Sequence, residues 1–324
     1  MKVTAVIPHW NRRELLASVL ENLKQQTRPF DEIVVVDNGS EDDSATLAER
    51  MGARVLPLGR NLGFPAAVNL GIQTAECDWV AILNNDVRLK PDWLAILIET
   101  AEREKASFAT GKILSESADS MIDGTFDELS RGACACRCGE GKPDSPVWNQ
   151  MRPIRIAPMT AALFKRSLFD SVGLLDESFG PYGLEDVDFG FRCALARHTG
   201  VFAPQAVAYH RGSATAGRWR KDTVRLISRN QVLLARKHFR GQPVWPIVAG
   251  QLLWGLVAFR HGRFLPYVLG KVQGWRWPLL VGAQQQSLET VRAVLEDSER
   301  HIFDLQRQTG FDRYWRVYFC LLRQ

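Results

Sequence analysis

Residues 179–192, FGPYGLEDVDFGFR, place three carboxylates, Glu185, Asp186 and Asp188, within four positions between glycine-spaced aromatic flanks. A charge beside Phe179, Tyr182, Phe189 and Phe191 loses hydration, which costs free energy unless it gains a partner or a use. The group reads either as solvated helix-start chemistry or as a carboxylate held beside a bound ligand. Asp188 and Arg192 are spaced i, i+4, as a structural helix pair would be. A second polar group, Asn84, Asn85 and Asp86, follows the apolar run WVAIL (79–83). A hard divalent cation could take oxygen ligands there and leave room for phosphate oxygens and water. Turns also favour Asn and Asp for backbone reasons alone. His210 ends another apolar run, GVFAPQAVAYH (200–210), where an ordinary polar role is the simpler reading taken by itself.

These residues need a scaffold. Short β-branched runs, VTAVI (3–7), EIVVVD (32–37), RVLPL (54–58) and WVAIL (79–83), alternate with helical patterns such as RELLASVLENLKQQ and FPAAVNLGIQTA. Leu16, Val19, Leu20 and Leu23 make one buried stripe on the first helix. Strands alternating with helices predict βαβ units and a parallel sheet covered on both faces. In such sheets ligands gather at the carboxyl ends of the strands. The segments found there, PHWNR (8–12), DNGSEDD (37–43), GRNLGF (59–64) and NNDV (84–87), are all polar or glycine-rich.

At 324 residues, 46% hydrophobic and 24% charged, the chain is ordinary globular material rather than disordered. The start, MKVTAVIPHW, lacks a basic region followed by a long apolar run, so a cytoplasmic protein with reduced thiols is expected. Cys134, Cys136 and Cys138 are spaced more closely than paired zinc ligands usually are and read as small buried thiols. Residues 115–150, rich in Gly, Ser, Asp and Pro, predict a long mobile loop. From Arg211 to Arg276 there are thirteen Lys and Arg against one acid, Asp222, a regional charge that suits a phosphate-rich partner or an anionic membrane surface. The apolar run 244–259 is interrupted by Pro246 and Gln251 and is shorter than the roughly 20 residues of a spanning helix. It fits equally a buried core helix or, with its neighbouring Trp and Arg residues, a segment lying in a membrane interface.

VVVDNGSEDDS, RNLGFPAAVNLGI, ILNNDV, FGPYGLEDVDFGFR and AYHRGSAT occur in that order. Together they resemble the inverting nucleotide-sugar glycosyltransferases of family 2, which have the GT-A fold, and most of all the bacterial rhamnosyltransferase branch that extends cell-envelope glycans. The resemblance covers about residues 1–240. It implies an α/β catalytic domain over 1–221, with a mostly parallel central sheet flanked by helices, and a helical C-terminal extension over 222–324. Pro8, Asn11 and Asp37 would hold the nucleoside, and Asn61, Gly63 and Asn69 would line the donor pocket. The family's D-x-D motif falls on Asn84, Asn85 and Asp86, with Asn84 in place of its first acid. Asn85 would then face the donor, while Asp86 and His210 would hold Mg²⁺ or Mn²⁺. Arg211 or Arg218 would add positive charge for the departing diphosphate. Asp186 matches the family's base and Glu185 a group bonded to acceptor or sugar. Inversion needs such a base beside the acceptor hydroxyl, on the face of the anomeric carbon opposite the leaving group. The resemblance implies dTDP-L-rhamnose as donor, with a UDP-sugar second, and a glycan or polyprenyl-diphosphate-linked glycan as acceptor, reached with help from the C-terminal extension at the inner leaflet.

Rival classes lack their signatures. A dinucleotide oxidoreductase would carry G-x-G-x-x-G where PHWNR stands, and a nucleotidyltransferase would open with a glycine-rich basic phosphate loop. Nucleic acid is not an expected partner, because the Trp and Leu interleaved with the basic residues suit lipid at least as well. A non-catalytic sugar-nucleotide-binding subunit remains the alternative, favoured by Asn84 and opposed by Asp86, Asp186 and His210.

Overall fold

The structure is a computed structural model that describes residues 1–212, 219–280 and 286–322. Its first half alternates as the β-branched runs predict: β1 (Val3–His9), α1 (Arg13–Leu23), β2 (Glu32–Asp37), α2 (Ser44–Arg50), β3 (Arg54–Pro57), α3 (Phe64–Thr74) and β4 (Trp79–Leu83). The strands pair in parallel, β3 on β2, β2 on β1 and β1 on β4. Alternate residues of β1 face opposite layers, as the period of two requires. Val3, Ala5 and Ile7 pack with Leu16, Val19, Leu20 and Leu23 of α1, whereas Val6 packs with Val34, Val36 and Ala67, Val68 and Ile72 of α3. Each such large side chain removed from water contributes about 1.5–3 kcal/mol. Helix α3 approaches β1 so closely that a Cβ on Gly71 would lie 2.3 Å from Val6 Cγ1.

The second half adds β5 (Val87–Leu89), α4 (Trp93–Arg103), β6 (Phe108–Ser115), β7 (Ala118–Gly124), β8 (Asp127–Leu129), β9 (Ala135–Arg137), β10 (Arg152–Ile154), β11 (Ala161–Lys165), α5 (Arg166–Val172), α6 (Glu185–Leu195) and β12 (Gly200–His210). The sheet order is β10-β12-β6-β11-β4-β1-β2-β3, with β11 antiparallel to both neighbours and β12 parallel to β6. Short β5 lies antiparallel on the end of β12, pairing Val87 with His210. That pairing folds the turn holding Asp86 back onto the strand end holding His210.

The expected mobile loop over 115–150 is corrected. It contains the end of β6, then β7, β8 and β9, and buries Ile122, Phe126, Leu129 and Trp148. Its turn-forming composition is genuine, but most of the apolar residues between the turns lie in the core. Cys134, Cys136 and Cys138 lie buried on and beside β9, and burial pushes the thiols of Cys134 and Cys138 up.

The remaining helices are α7 (Lys221–His238), α8 (Val244–Arg260), α9 (Phe264–Arg276), α10 (Leu288–Thr309) and α11 (Arg313–Leu321). Helices α10 and α11 close over the β8–β9 hairpin, where Ser298 Oγ accepts from the Leu129 amide at 2.9 Å and Arg131 pairs with buried Glu299. Helix α8 divides its surface, burying Pro246, Ala249, Gly250, Gly255 and Ala258 and exposing Leu252, Leu256 and Phe259. No described helix is long and apolar enough to cross a membrane.

Candidate active site

The strand ends carry the site, beginning with Asp86 and His210. His210 Nε2 lies 3.2 Å from Asp86 Oδ1, and its Nδ1 lies 2.9 Å from Asp123 Oδ2. Burial opposes a charge on this imidazole, but the hydrogen bonds to Asp123 and Asp86 outweigh it and raise the pKa to about 9. Asp123 sits in β7 and was invisible as a site residue in the sequence. Among the described residues no three His, Cys, Asp or Glu side chains are arranged to hold an ion by themselves. The pair of one imidazole nitrogen and one carboxylate nevertheless suits a divalent ion that draws its other ligands from phosphate and water. Asp123 on the far ring nitrogen has the position of the carboxylate that orients a ligating histidine. Arg211 is exposed, pairs with Glu116 at 3.4 Å and donates its backbone amide to the Asp86 carbonyl. Arg218 lies outside the described residues.

On the other side of β1, Pro8 and His9 pair with Val36 and Asp37 of β2. Asp37 is buried, and its Oδ1 accepts from the Ser40 amide at 3.1 Å. Asn11, with φ of 55°, donates its amide to Ser40 Oγ and accepts from the Glu41 amide, so it ties the β1 turn to the β2 turn. Asn85 Nδ2 lies 2.8 Å from His9 Nδ1. Burial lowers His9 to about 4 against the raising charges of Asp42 and Asp37, so the ring is neutral at pH 7 and accepts there from the amide. Asn38, not picked out from the sequence, clamps the donor-side loop: its amide nitrogen reaches Asn61 Oδ1 and the Gly63 carbonyl, and its oxygen takes the Leu62 amide. Gly63 is required by contact, since its φ is +94° and a Cβ would meet Pro181 Cα at 2.8 Å. The next amide, Phe64 N, donates to the Pro181 carbonyl at 2.7 Å. The expected donor loop is thereby joined to the loop preceding Asp186. Asn69 corrects an expectation. It is buried, and its amide is engaged with the Leu175 backbone on both sides and with Glu177, so it anchors that segment instead of lining the donor pocket.

The carboxylate cluster divides by environment. Asp188 is fully buried, accepts from Arg192 Nε at 3.0 Å and meets Lys237 and His238 of α7. Burial alone would raise its pKa, but His238, Arg192 and Lys237 hold it well below the usual carboxylate range. It is the structural member, as its spacing predicted. Glu185 is also buried, with Oε2 bonded to nothing among the described residues, and burial, followed by the Asp186 charge, pushes it up to about 8. It therefore keeps its proton at neutral pH. Asp186 is half-buried at the first turn of α6, and its Oδ1 accepts from the Val187 amide.

Near Asp186 the β8–β9 hairpin brings the cross-strand pair Asp127 and Arg137, 3.5 Å apart. Burial, with the charges of Asp186 and Glu140, outweighs the lowering effect of Arg137 and brings Asp127 up to about 7. Burial disfavours charge on Arg137, yet Asp127, Asp186, Glu140 and Asp123 together hold its guanidinium firmly protonated. This one cation is thus within electrostatic reach of both Asp186 and the Asp123 that faces His210. Behind the loop, Arg229 and Asn230 of α7 donate to the carbonyls of Phe179, Gly180, Tyr182 and Gly183. A signal for these two existed in the sequence: polar residues set between the apolar positions of an amphipathic helix.

Known proteins similar to this chain bear on its family and fold. The family model described as glycosyl transferase family 2 matches residues 4–172. An N-acetylglucosaminyl-diphospho-decaprenol L-rhamnosyltransferase of Mycobacterium tuberculosis is 29% identical over an alignment of 227 residues that covers 63% of this chain and 74% of that protein. Among solved structures, GalNAc-T7 with UDP, GalNAc and Mn²⁺ superimposes with a TM-score of 0.61 at 14% identity, over 86% of this chain and 58% of that one. A mannosyltransferase from Pyrobaculum calidifontis in complex with GDP-Man and Mn²⁺ gives 0.55 at 15% identity, over 99% and 86%. At these identities the two structures bear on the fold alone.

Proposed function

The chain belongs to glycosyl transferase family 2 and is a transferase of GT-A fold; from that premise we propose that it transfers a hexose with inversion, best L-rhamnose from dTDP-L-rhamnose, to a hydroxyl of a polyprenyl-diphosphate-linked glycan. The donor's nucleoside would lie between Pro8, Asn11 and Asp37, beside the Asn61–Gly63 loop. Its diphosphate would lie at Asn85, Asp86 and His210. A divalent ion held by Asp86 and His210 would supply positive charge against the departing diphosphate. Asp186 takes the proton of the acceptor hydroxyl as the new C–O bond forms and the bond to the β-phosphate breaks. Glu185, protonated, donates a hydrogen bond to acceptor or sugar. Arg137 lies in a common field with Asp186 and Asp127.

The observation that carries this reading is Arg137, whose guanidinium is held charged by Asp186 on one side and by Asp123, the partner of His210, on the other. The test is a panel of sugar nucleotides scored by thermal stabilisation in the presence of Mn²⁺. A ligand present at about 100 times its Kd stabilises by about 2.7 kcal/mol. The expected result is a shift with dTDP-L-rhamnose larger than with UDP- or GDP-sugars. A larger shift with a UDP-sugar would replace the donor, and no shift with any would refute donor binding. A second expectation concerns Asp123→Asn. With the far nitrogen of His210 no longer facing a carboxylate, Mn²⁺ affinity in the presence of nucleoside diphosphate should fall about 10- to 100-fold, as read by electron paramagnetic resonance titration. Unchanged affinity would remove Asp123 from the site.

A further inference from the structure

The 66 residues from Thr223 to Leu288 contain nine Lys and Arg and no Asp or Glu. Part of that charge is internal. Arg229 and Lys237 are buried, and the Lys271 ammonium lies inside against Gln231, with burial lowering it to about 7. Arg236 and Arg263 are half-buried and bonded to backbone carbonyls, whereas Arg225, Arg240, Arg260 and Arg276 are exposed.

Helices α8 and α9 carry small residues inward. On α9 a Cβ at Gly270 would lie 2.3 Å from the Arg225 carbonyl, and one at Gly274 would lie 2.7 Å from that of Arg229, so this helix is pressed onto α7. Gly255 of α8 meets the Tyr267 ring of α9 in the same way. The outward stripes are the reverse. Val244, Trp245, Val248, Leu252, Leu256 and Phe259 recur at helical spacing along α8, and Phe264, Leu265, Val268, Leu269, Val272 and Trp275 do so along α9; all are exposed. Trp275 is 69% exposed, and Leu265 and Phe259 each 67%. Exposed large apolar residues elsewhere among the described residues are scattered, as on any surface, whereas these lie together on one helix pair.

We infer that the outward face of α8 and α9 docks this protein on an anionic lipid bilayer, lying in its interface without crossing it. Charge selects the occupant. A second copy of the chain would bring two acid-free, arginine-bearing faces against each other, while anionic headgroups complement exposed Arg240, Arg260 and Arg276 and the acyl boundary accepts the apolar stripes. Trp245 and Trp275 have the amphipathic rings suited to headgroup depth. The placement has a consequence for the site. Helix α9 rests on α7, and α7 grips the 179–183 loop through Arg229 and Asn230. The bilayer would thus be separated only by α9 and α7 from the loop that precedes Asp186, on the acceptor's side. This inference deepens the lipid-linked acceptor reading and rests on it only for its purpose, not for the binding itself.

The test needs neither donor nor acceptor. The full chain is mixed with vesicles of phosphatidylcholine alone, or with about a quarter phosphatidylglycerol, and sedimented at low and high salt. Co-sedimentation with the anionic vesicles should exceed that with neutral ones by about tenfold and fall with salt. The exposed-face variant Leu256→Ser/Phe259→Ser/Leu265→Ser should lose it with an unchanged melting temperature, and Trp275→Ser alone should weaken it. Wild-type protein that stays in solution with anionic vesicles, or a triple variant that binds as before, overturns the inference. Concentration-dependent dimerisation abolished by the triple variant assigns the face to a second copy and also overturns it. Failure here would leave the sugar-nucleotide shifts untouched, and failure of those shifts would leave vesicle binding untouched.

Discussion

Asp186→Asn should lower the rate of sugar transfer by about 10²–10⁴-fold while leaving donor binding nearly intact. The substitution keeps the volume and one hydrogen-bonding oxygen at the Val187 amide but removes the site that accepts the proton. Asp186 lies beside Asp127, Arg137 and Glu185 and is assigned to the acceptor and not to the diphosphate, so a binding measurement on the variant should give the wild-type affinity. Normal turnover by the variant would reject the base assignment. Lost donor binding would instead place Asp186 in the donor site. Glu185 and Asp186 are adjacent in sequence but differ in kind. Burial keeps the first protonated, and the second is only half-buried with a guanidinium nearby, the separation of environments that distinguishes an acid from a base.

The largest effect on stability is expected at Lys237. Its ammonium lies 2.7 Å from Asp176 and 2.9 Å from Asp188, and the three side chains are fully buried. Lys237→Met would leave buried Asp176 without a charged partner and Asp188 with Arg192 and His238 alone, and should lower the unfolding free energy by about 3–5 kcal/mol, as read by urea denaturation. A loss below about 1 kcal/mol would mean that the cluster is already hydrated. The same cluster fixes a pH dependence. Asp188 has a folded-state pKa depressed below its ordinary 3.8, so its contribution is complete above that pH and is lost as the pH falls further.

The parallel half of the sheet was legible because β1, β2 and β4 are buried on both faces and read as β-branched runs bounded by polar turns. The carboxylates, Asp86 and His210 were legible as chemistry, through their order along the chain. The segment that brings Asp123, Asp127 and Arg137 was not, since β8 and β9 have three residues each and their hairpin is held by partners about 170 residues away, such as Ser298, Glu299 and His301. No local pattern records such contacts. The basic stretch after residue 211 was visible as charge, but its division was not: Arg229 and Lys237 serve buried carbonyls and carboxylates, and Arg260 and Arg276 face outward. Asn69 illustrates the opposite error. Its motif position suggested the donor pocket, while its side chain is used up on the Leu175 backbone.

The account stands or falls on one cleft shared by the Asp86–His210 pair and Asp186. The direct measurement is a crystal structure of the protein with Mn²⁺ and a non-transferable sugar-nucleotide analogue. The account predicts the diphosphate at Asp86 and His210, with the anomeric carbon presenting its opposite face to Asp186. A sugar bound with Asp186 outside its compartment, or a diphosphate that leaves Asp86 and His210 untouched, would contradict it.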